Sequence, residues 1–255
     1  MKDTKINILG VNVNATTLDL AEVSIRSWIS LGKKAYVCVV PVSTVVECQE
    51  NPEYLNIVNL ADMATPDGMP LVWLGRLKGN KVIQRTYGPD LMLKLCETGQ
   101  KQGLKHYFYG GTTAVLEQLE ARLKKRIPQL NIVGKFSPPF THKIEPLDPK
   151  FKDDINRSKP DILWVALGSP KQDFWMHRHR DKLEVPVMIG VGAAFDFLAG
   201  TKKQAPVWMR RGGLEWFFRL CCEPKRLWKR YTIGNSKFIY YLFRDSLTKS
   251  WRKKT

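Results

Sequence analysis

A Pro-Asp-Gly turn contains the residue of this chain best suited to acid–base chemistry. Pro66 and Gly68 flank Asp67, just after a short apolar stretch that ends at Ala64 and Thr65. Proline and glycine favour a tight turn, so we predict an exposed Asp67 carboxylate at the end of a strand, where it could serve as a general base. Thr65 is a candidate substrate contact. Asp-Gly is also a common turn former, so this segment alone leaves both interpretations open.

Arg85 is a second candidate for catalytic chemistry. It follows an apolar step that ends at Ile83, and Gly88-Pro89 separates it from Asp90. A guanidinium group binds phosphate oxygens in bidentate geometry, so Arg85 could contact a diphosphate. A surface salt bridge would explain the same arginine equally well.

Two further loops have residues that suit ligand contact. Gly110 and Gly111 lie between a predicted strand and a predicted helix. There, backbone N–H groups and the helix N-terminus could receive a phosphate, although a plain glycine-rich turn has the same sequence. The second loop begins at Gly168 and leads to Lys171 and Gln172. Helix capping explains the serine and proline between them, but it does not explain the polar pair that follows.

Metal and redox chemistry have little support in the sequence. The five cysteines are odd in number, lack metal-ligand spacing, and indicate a reduced, cytosolic protein. His177 and His179 are two residues apart and do not share a helix face. There is no Asp-x-Asp triplet, no complete dinucleotide fingerprint and no phosphate-loop lysine. We therefore predict no metal site and no cofactor.

The C-terminal segment (residues 201–255) holds most of the positive charge. It has 15 Lys and Arg against 3 acidic residues, a net +12 of the chain's +17. Apolar and basic residues interleave here, namely Trp208, Leu214, Trp216, Phe217, Phe218 and Trp228 with Arg210, Arg211, Arg219, Arg226 and Arg230. This pattern favours an amphipathic element on an anionic membrane, with nucleic acid as the alternative partner. No apolar run of about 18 residues is present, as a spanning helix would need, and no signal peptide is evident.

Alternating patterns predict the elements that must position these residues. Predicted strands cover 6–13, 35–40, 106–109, 131–136, 162–167 and 187–191, and predicted helices cover 18–31, 44–61 with a break near Asn51-Pro52, 90–100 capped by Asp90, 114–126 and 151–157. Strand-then-helix order predicts an α/β, Rossmann-like, mainly parallel sheet with helices on both faces. We predict a core over 1–200 and a helical, membrane-associating appendage over 201–255. Sites in such folds lie at the carboxyl ends of the strands.

Taken together, these segments resemble a bacterial glycosyltransferase family, over nearly the whole chain. It is the family of teichoic-acid N-acetylmannosaminyltransferases and their enterobacterial-antigen and capsule relatives, the WecG/TagA/CpsF type. The matching motifs are Asn59-Leu60-Ala61-Asp62, Pro66-Asp67-Gly68-Met69, Gly88-Pro89-Asp90-Leu91-Met92, Phe108-Tyr109-Gly110-Gly111, Gly168-Ser169-Pro170-Lys171-Gln172, Gly190-Val191-Gly192-Ala193, Phe195-Asp196, Ala205-Pro206, Gly213-Leu214-Glu215-Trp216 and Glu223-Pro224. So many ordered matches make the resemblance specific.

The resemblance implies inverting transfer from a UDP-sugar to a sugar on a polyprenyl diphosphate, at the cytoplasmic face of the membrane. The family's base aspartate falls on Asp67, its active-site arginine on Arg85 and its glutamine on Gln172. Arg219 and Arg226 look like the counterparts of arginines that the basic appendage brings to the donor diphosphate. Gly110, Gly111, Gly168 and Asp196 lie in matching motifs and are candidate substrate contacts.

Two departures from the family pattern stand out. Many members have a Thr-x-Asn step where this chain has Val39-Val40-Pro41, followed by Ser43-Thr44, and many have Glu in place of Asp173. The resemblance leaves open which sugar is transferred, which saccharide accepts it, and whether the protein forms a homo-oligomer.

Two other function classes remain at this point. The charge and aromatic content suit a nucleic-acid-binding protein without catalysis, but the sequence has no helix-turn-helix, zinc-finger or RNA-recognition motif. A nucleotide-binding regulatory module would require Asp67 to be a turn former only. We therefore expect a membrane partner and no nucleic acid.

Overall fold

A parallel β-sheet forms the centre of the computed structural model, which describes residues 4–141 and 146–252, with side chains to residue 247. The strands are β1 (Lys5–Ile8), β2 (Val11–Asn14), β3 (Ala35–Val40), β4 (Met63–Pro66), β5 (Lys105–Gly110), β6 (Asn131–Phe136), β7 (Ile162–Ala166) and β8 (Val187–Gly190). Six of them pair in the order β4-β3-β8-β7-β5-β6, and every pair is parallel. Their carboxyl ends therefore meet at one edge of the sheet.

Helices cover both faces of the sheet. The α-helices are α1 (Leu18–Ser30), α2 (Val42–Glu50), α3 (Pro52–Leu60), α4 (Met69–Leu77), α5 (Gly88–Gly99), α6 (Thr113–Arg126), α7 (Pro149–Ser158), α8 (Lys171–His179), α9 (Ala194–Ala199), α10 (Val207–Arg211), α11 (Glu215–Cys222), α12 (Pro224–Trp228) and α13 (Gly234–Arg252). In β3, alternate residues pack into two separate apolar clusters, with Tyr36 and Cys38 on one side and Val37 on the other. Successive strand side chains point to opposite faces, so both faces carry a core. The predicted α/β fold is confirmed.

The predicted strand at 6–13 is wrong in one respect. It forms two strands, β1 and β2, which pair as an antiparallel hairpin outside the main sheet. Leu9 and Gly10 both have positive φ, 50° and 81°, and reverse the chain between them. Glycine adopts this left-handed region readily, so the turn could have been anticipated from Gly10.

Two other local predictions need correction. Helix α5 begins at Gly88 rather than at Asp90, because Pro89 occupies its first turn, where a missing N–H costs nothing. Asp90 is therefore not its cap; it accepts a hydrogen bond from Arg210 Nη1 at 3.3 Å. Helix α4 had no predicted counterpart. The predicted break at Pro52 is confirmed, since α2 ends at Glu50 and Asn51 caps α3.

The C-terminal segment packs against the core. Phe238 of α13 is buried in one of the apolar clusters, and Tyr241 and Leu242 pack beside it. Lys237 Nζ lies 2.5 Å from Glu50 Oε1 of α2. These contacts join residues after position 200 to residues before it. The division into a core and an appendage at that position remains a prediction. Across 4–141 and 146–252, none of the helices combines the length and the apolar character needed to cross a membrane.

Candidate active site

Asp67 lies at the carboxyl end of β4, as predicted. Its backbone N–H donates to the Val40 carbonyl at 3.0 Å, which holds the turn against the end of β3. Its side chain is only 20% exposed, so the carboxylate is far more buried than the sequence suggested. Burial raises the pKa of Asp67 to about 6, although the Arg85 guanidinium opposes that rise. A carboxylate that titrates near neutral pH is well matched to general-base work.

Arg85 lies beside Asp67 and is held by it twice. Its Nε donates a hydrogen bond to the Asp67 carbonyl oxygen, and its Nη2 lies 3.5 Å from Asp67 Oδ1. The loop before α5 is tied to the same place, because Thr86 N donates to the Pro66 carbonyl at 2.8 Å. Within the described residues, Oδ1 of Asp67 accepts no hydrogen bond.

Thr65 lies behind this turn. It is fully buried, and its hydroxyl donates to the Thr86 carbonyl at 3.4 Å. Thr65 is thus buried behind the Asp67 turn, and its contact with a substrate stays a prediction.

Gln172 connects two strand ends. It is 2% exposed, its Oε1 accepts from Gly192 N at 3.0 Å, and its Nε2 donates to Ser169 Oγ at 3.3 Å. The loops after β7 and β8 are thus held together by one amide. Gly168, where φ is 78°, opens the first of these loops. Strands β4 and β7 are three spacings apart in the sheet, about 14 Å, so Gln172 and Asp67 lie at separate points along the same edge.

Gly110 and Gly111 end β5 with φ values of 116° and 69°. A Cβ atom on Gly110 would come within 2.5 Å of the Ala166 carbonyl oxygen, so the close approach of β5 and β7 requires this glycine. Gly111 is exposed at the N-terminus of α6, which Thr112 caps by accepting from Val115 N. Close packing explains Gly110, and a phosphate contact at Gly111 stays a prediction.

Asp196 and Asp173 have different surroundings. Asp196, in α9, lies 3.4 Å from Lys202 Nζ and remains partly exposed. Asp173 is fully buried, accepts a hydrogen bond from Tyr54 Oη at 2.6 Å, and has a pKa that burial raises to about 6. Many family members have glutamate at this position, and its side chain is one methylene longer than that of the fully buried Asp173.

The C-terminal segment brings further side chains to the surroundings of Asp67. Glu215, at the start of α11, lies 2.5 Å from Arg85 Nη2 and accepts a hydrogen bond from Tyr87 Oη at 2.9 Å. Arg230 lies in a π-helical turn (Lys229–Ile233) and donates two hydrogen bonds, of 2.7 and 3.1 Å, to Ser43 Oγ. Turns of this kind are frequent at functional sites. Ser43 lies two residues after Pro41, the end of the Val39-Val40-Pro41 departure.

Several arginines of the C-terminal segment lie close together near Asp67. Burial lowers the pKa of Arg230, and the positive charges of Arg219 and Arg226 lower it further. Arg219 has a buried Nε that finds no hydrogen-bond partner among the described residues, and its guanidinium lies 5.3 Å from the ring of Phe197. Arg226 is different, because Glu223 already binds it through two hydrogen bonds of 2.6 and 2.7 Å. Guanidinium groups that lie close together, with few carboxylates beside them, suit the binding of an anion.

The structure thus brings Asp67, Arg85 and Arg219 together, and it adds Glu215, Arg230, Tyr87 and Ser43, which sequence reasoning did not select. Glu215 stood in a matching motif, and Arg230 was one arginine among five in the basic segment. No local pattern marked either one as a pocket residue. In the described part of the chain, no three His, Cys, Asp or Glu side chains are grouped to hold a metal ion.

We expect Gln172→Ala to lower kcat/KM by roughly ten- to a hundredfold, because a buried amide that joins two strand ends loses its hydrogen bonds. The measurement is steady-state kinetics of sugar transfer. The matched control is Gln100→Ala, which removes an amide whose nitrogen donates only to Glu97 of the preceding helical turn. Unchanged kcat/KM in a folded Gln172 variant would place the pocket elsewhere.

Comparison with known proteins identifies chains of similar sequence. The family model described as "Glycosyl transferase WecG/TagA/CpsF family" matches residues 6–252. A protein of Bacillus subtilis is 31% identical over 229 residues, covering 89% of this chain and 86% of its own length. One of Bacillus spizizenii is 30% identical over 204 residues, covering 80% and 77%. One of Staphylococcus aureus is 27% identical over 254 residues, covering 98% and 94%. All three are named N-acetylglucosaminyldiphosphoundecaprenol N-acetyl-beta-D-mannosaminyltransferase.

Proposed function

Because the chain belongs to the WecG/TagA/CpsF family of glycosyltransferases, we propose that it transfers a hexose from a UDP-sugar to a saccharide on a polyprenyl diphosphate. The relatives' names specify N-acetylmannosamine as the transferred sugar and N-acetylglucosaminyl-diphosphoundecaprenol as the acceptor. The same pair is the first to test here, with other UDP-hexoses as alternatives. The product belongs to the synthesis of a bacterial surface polysaccharide.

One observation carries this proposal: the Asp67 carboxylate, whose pKa burial raises to about 6, lies near Arg219 and Arg230, for which the described residues supply no ion pair. Asp67 takes the proton of the acceptor hydroxyl, and that oxygen forms a bond to the anomeric carbon on the face opposite to UDP. The bond between the anomeric carbon and the diphosphate breaks, and UDP leaves with the electron pair. Attack from the opposite face inverts the anomeric configuration.

The arginines serve the leaving group. As the bond to UDP breaks, negative charge grows on the diphosphate, and fixed guanidinium groups in a partly buried site stabilise it. Arg219 has a buried Nε with no hydrogen-bond partner among the described residues, and Arg230 has the positive charges of Arg219 and Arg226 nearby, so both gain most from an incoming diphosphate. Arg85 orients the Asp67 turn through its backbone carbonyl.

The direct test is UDP release from several UDP-sugars in the presence of a polyprenyl-diphosphate-linked N-acetylglucosamine. We expect UDP release with one UDP-hexose, at a kcat on the order of 1–10³ s⁻¹, as is typical of enzymes. The rate in EDTA should equal the rate with added magnesium, because arginines supply the positive charge. Absence of acceptor-dependent UDP release with every donor would refute the proposed transfer. A rate lost in EDTA and restored by metal would refute the arginine assignment.

The C-terminal segment also presents an apolar surface. Trp208 is 67% exposed, Phe217 49% and Trp228 47%, all within the basic part of the chain. On α13, Ile239, Tyr240, Phe243 and Leu247 are exposed as well. Aromatic side chains next to arginines suit the interface of an anionic bilayer. We therefore propose that this surface associates with the cytoplasmic face of the membrane.

We expect the full chain to sediment with anionic liposomes and to be released by salt, because about 1 kcal/mol per basic residue depends on an unscreened surface potential. Trp208→Gln combined with Phe217→Gln should weaken binding several-fold. Leu31→Gln, which alters a side chain 75% exposed at the end of α1, is the matched control. A chain that does not sediment with liposomes but binds DNA or RNA at the same ionic strength would support the nucleic-acid alternative instead.

A further inference from the structure

Glu215 reaches from the C-terminal segment into the pocket and is held there at both oxygens. Oε1 accepts a hydrogen bond from Tyr87 Oη at 2.9 Å, and Oε2 accepts one from Arg85 Nη2 at 2.5 Å. Its side chain is 12% exposed, and it lies in the first turn of α11, where the helix N-terminus favours negative charge. A carboxylate engaged in this way has little freedom to take a proton from an acceptor hydroxyl.

Arg85 is shared unequally between two carboxylates. The same nitrogen, Nη2, lies 2.5 Å from Glu215 Oε2 but 3.5 Å from Asp67 Oδ1. The first contact is a charge-assisted hydrogen bond, whereas the second distance is beyond the usual range for N–H···O. Asp67 therefore keeps a longer-range attraction to Arg85, and its buried Oδ1 accepts no hydrogen bond from the described residues.

Arg85 has no need to move far to bind Asp67 directly. Its Nε already donates to the Asp67 carbonyl oxygen, so the guanidinium is held against the same residue. Without a competing acceptor, Nη2 would turn to Oδ1 and form the ordinary arginine–aspartate pair. Such a pair stabilises the charged carboxylate and makes it a weaker base.

We propose that Glu215 is a positioning residue for the transfer reaction: it binds Arg85 Nη2 and thereby keeps the Asp67 carboxylate free to accept the acceptor's proton. The same contact joins α11 to the loop before α5, which places Arg219 beside the pocket. This role rests on the proposed function, because it assigns Asp67 as the base.

The charges around Asp67 agree with this role. The charged and titratable groups that face it come from the loop before α5, from α11 and from the π-helical turn, and they are Arg85, Tyr87, Glu215, Arg219, Arg230 and Tyr231. Burial is the largest cause of the raised pKa of Asp67; the three arginines lower it, and Glu215 raises it. Glu215 thus opposes the arginines that bind the leaving group.

The test is the pH dependence of kcat/KM in Glu215→Gln. We expect the acid limb to move to lower pH by about one pH unit, as for an aspartate that gains an arginine partner, and the plateau to fall roughly three- to tenfold because the base is weaker. Glu215→Asp keeps the charge and should leave the acid limb near its wild-type position. Glu50→Gln is the matched control, since it removes another ion pair between the C-terminal segment and the core, and Glu50 at the end of α2 is not among the charged groups that act on Asp67.

A second measurement determines the titration of the Asp67 carboxyl directly, without enzymatic turnover. In the full chain labelled with ¹³C-aspartate, and assigned with Asp67→Asn, the Asp67 carboxyl should titrate at a lower pH in Glu215→Gln than in the wild type. If the plateau falls while the acid limb and the carboxyl titration stay unchanged, Glu215 only holds α11 in place and the proposal is overturned. If the wild type transfers no sugar, the proposed function fails, and the carboxyl titration still decides the role of Glu215.

Discussion

Asp67→Asn should lower kcat by about 10²–10⁴-fold, the usual contribution of a positioned general base. Asparagine has nearly the same shape, so the turn between β4 and α4 and the hydrogen bond from Arg85 Nε to the backbone carbonyl remain. The amide cannot take the acceptor's proton. We therefore expect the loss in kcat, with the affinity for the UDP-sugar largely kept.

Kinetics of UDP release and calorimetric binding of the donor separate these two effects. The matched control is Asp181→Asn, because the side chain of Asp181 is 84% exposed and, within the part of the chain that the structure describes, its one ion pair is the 3.7 Å contact to Arg180. A variant at Asp67 that keeps a near wild-type kcat would exclude it as the base. A variant that loses donor affinity as well would indicate that Asp67 binds the sugar.

The same substitution should alter stability in a pH-dependent way. The folded-state pKa of Asp67 is raised from 3.8 to about 6, so the native state binds this proton more tightly than the unfolded chain does. That contribution to stability is present below pH 4 and is lost as the pH rises through about 6. The Asn variant should therefore match the wild type in Tm near pH 4 and exceed it near pH 8, by thermal unfolding at both pH values.

Arg219→Ala should lower kcat/KM by roughly ten- to a hundredfold, even with a water-soluble acceptor that removes any need for membrane docking. Its guanidinium lies near Asp67 and has a buried nitrogen without a partner, so the donor diphosphate would supply the missing acceptor. Loss of a charge-assisted hydrogen bond in a buried site costs about 1.5–3 kcal/mol.

Two other arginines in the same segment provide comparison variants for this experiment. Arg226→Ala should cost less than Arg219→Ala, because Glu223 already satisfies Arg226 and its side chain is 50% exposed. Arg244→Ala is the matched control: it removes one positive charge from the segment, on the exposed face of α13. Equal losses in all three variants would show that net charge matters and that Arg219 makes no particular contact.

Much of the fold could be predicted from the sequence because the relevant signals are local. The run Ala35–Val40 is β-branched and apolar, and it forms a strand buried on both faces. Pro52 ends one helix and opens the next, as its ring requires. The hairpin at β1 and β2 was predicted as one strand, although the alternation breaks at Leu9-Gly10: apolar residues stand at 6 and 8 before the reversal and at 11 and 13 after it.

The position of Asp67 could also be predicted, because a Pro-Asp-Gly turn after a short strand places its carboxylate at the edge of the sheet. Gln172 could be predicted in a similar way, because it follows the loop after β7, at the start of α8. The sequence alone thus determined that this is a parallel α/β protein and which loops carry polar side chains at one edge.

Only the tertiary structure decided what that edge can do. Glu215 meets Arg85 across 130 residues of chain, and Arg230 meets Ser43 across 187. Such contacts depend on how the C-terminal segment packs over the sheet, which no local pattern specifies. Burial by that packing, together with the charges it brings, sets the pKa of Asp67, because the free energy of a carboxylate depends on its surroundings in space and not on its neighbours in sequence.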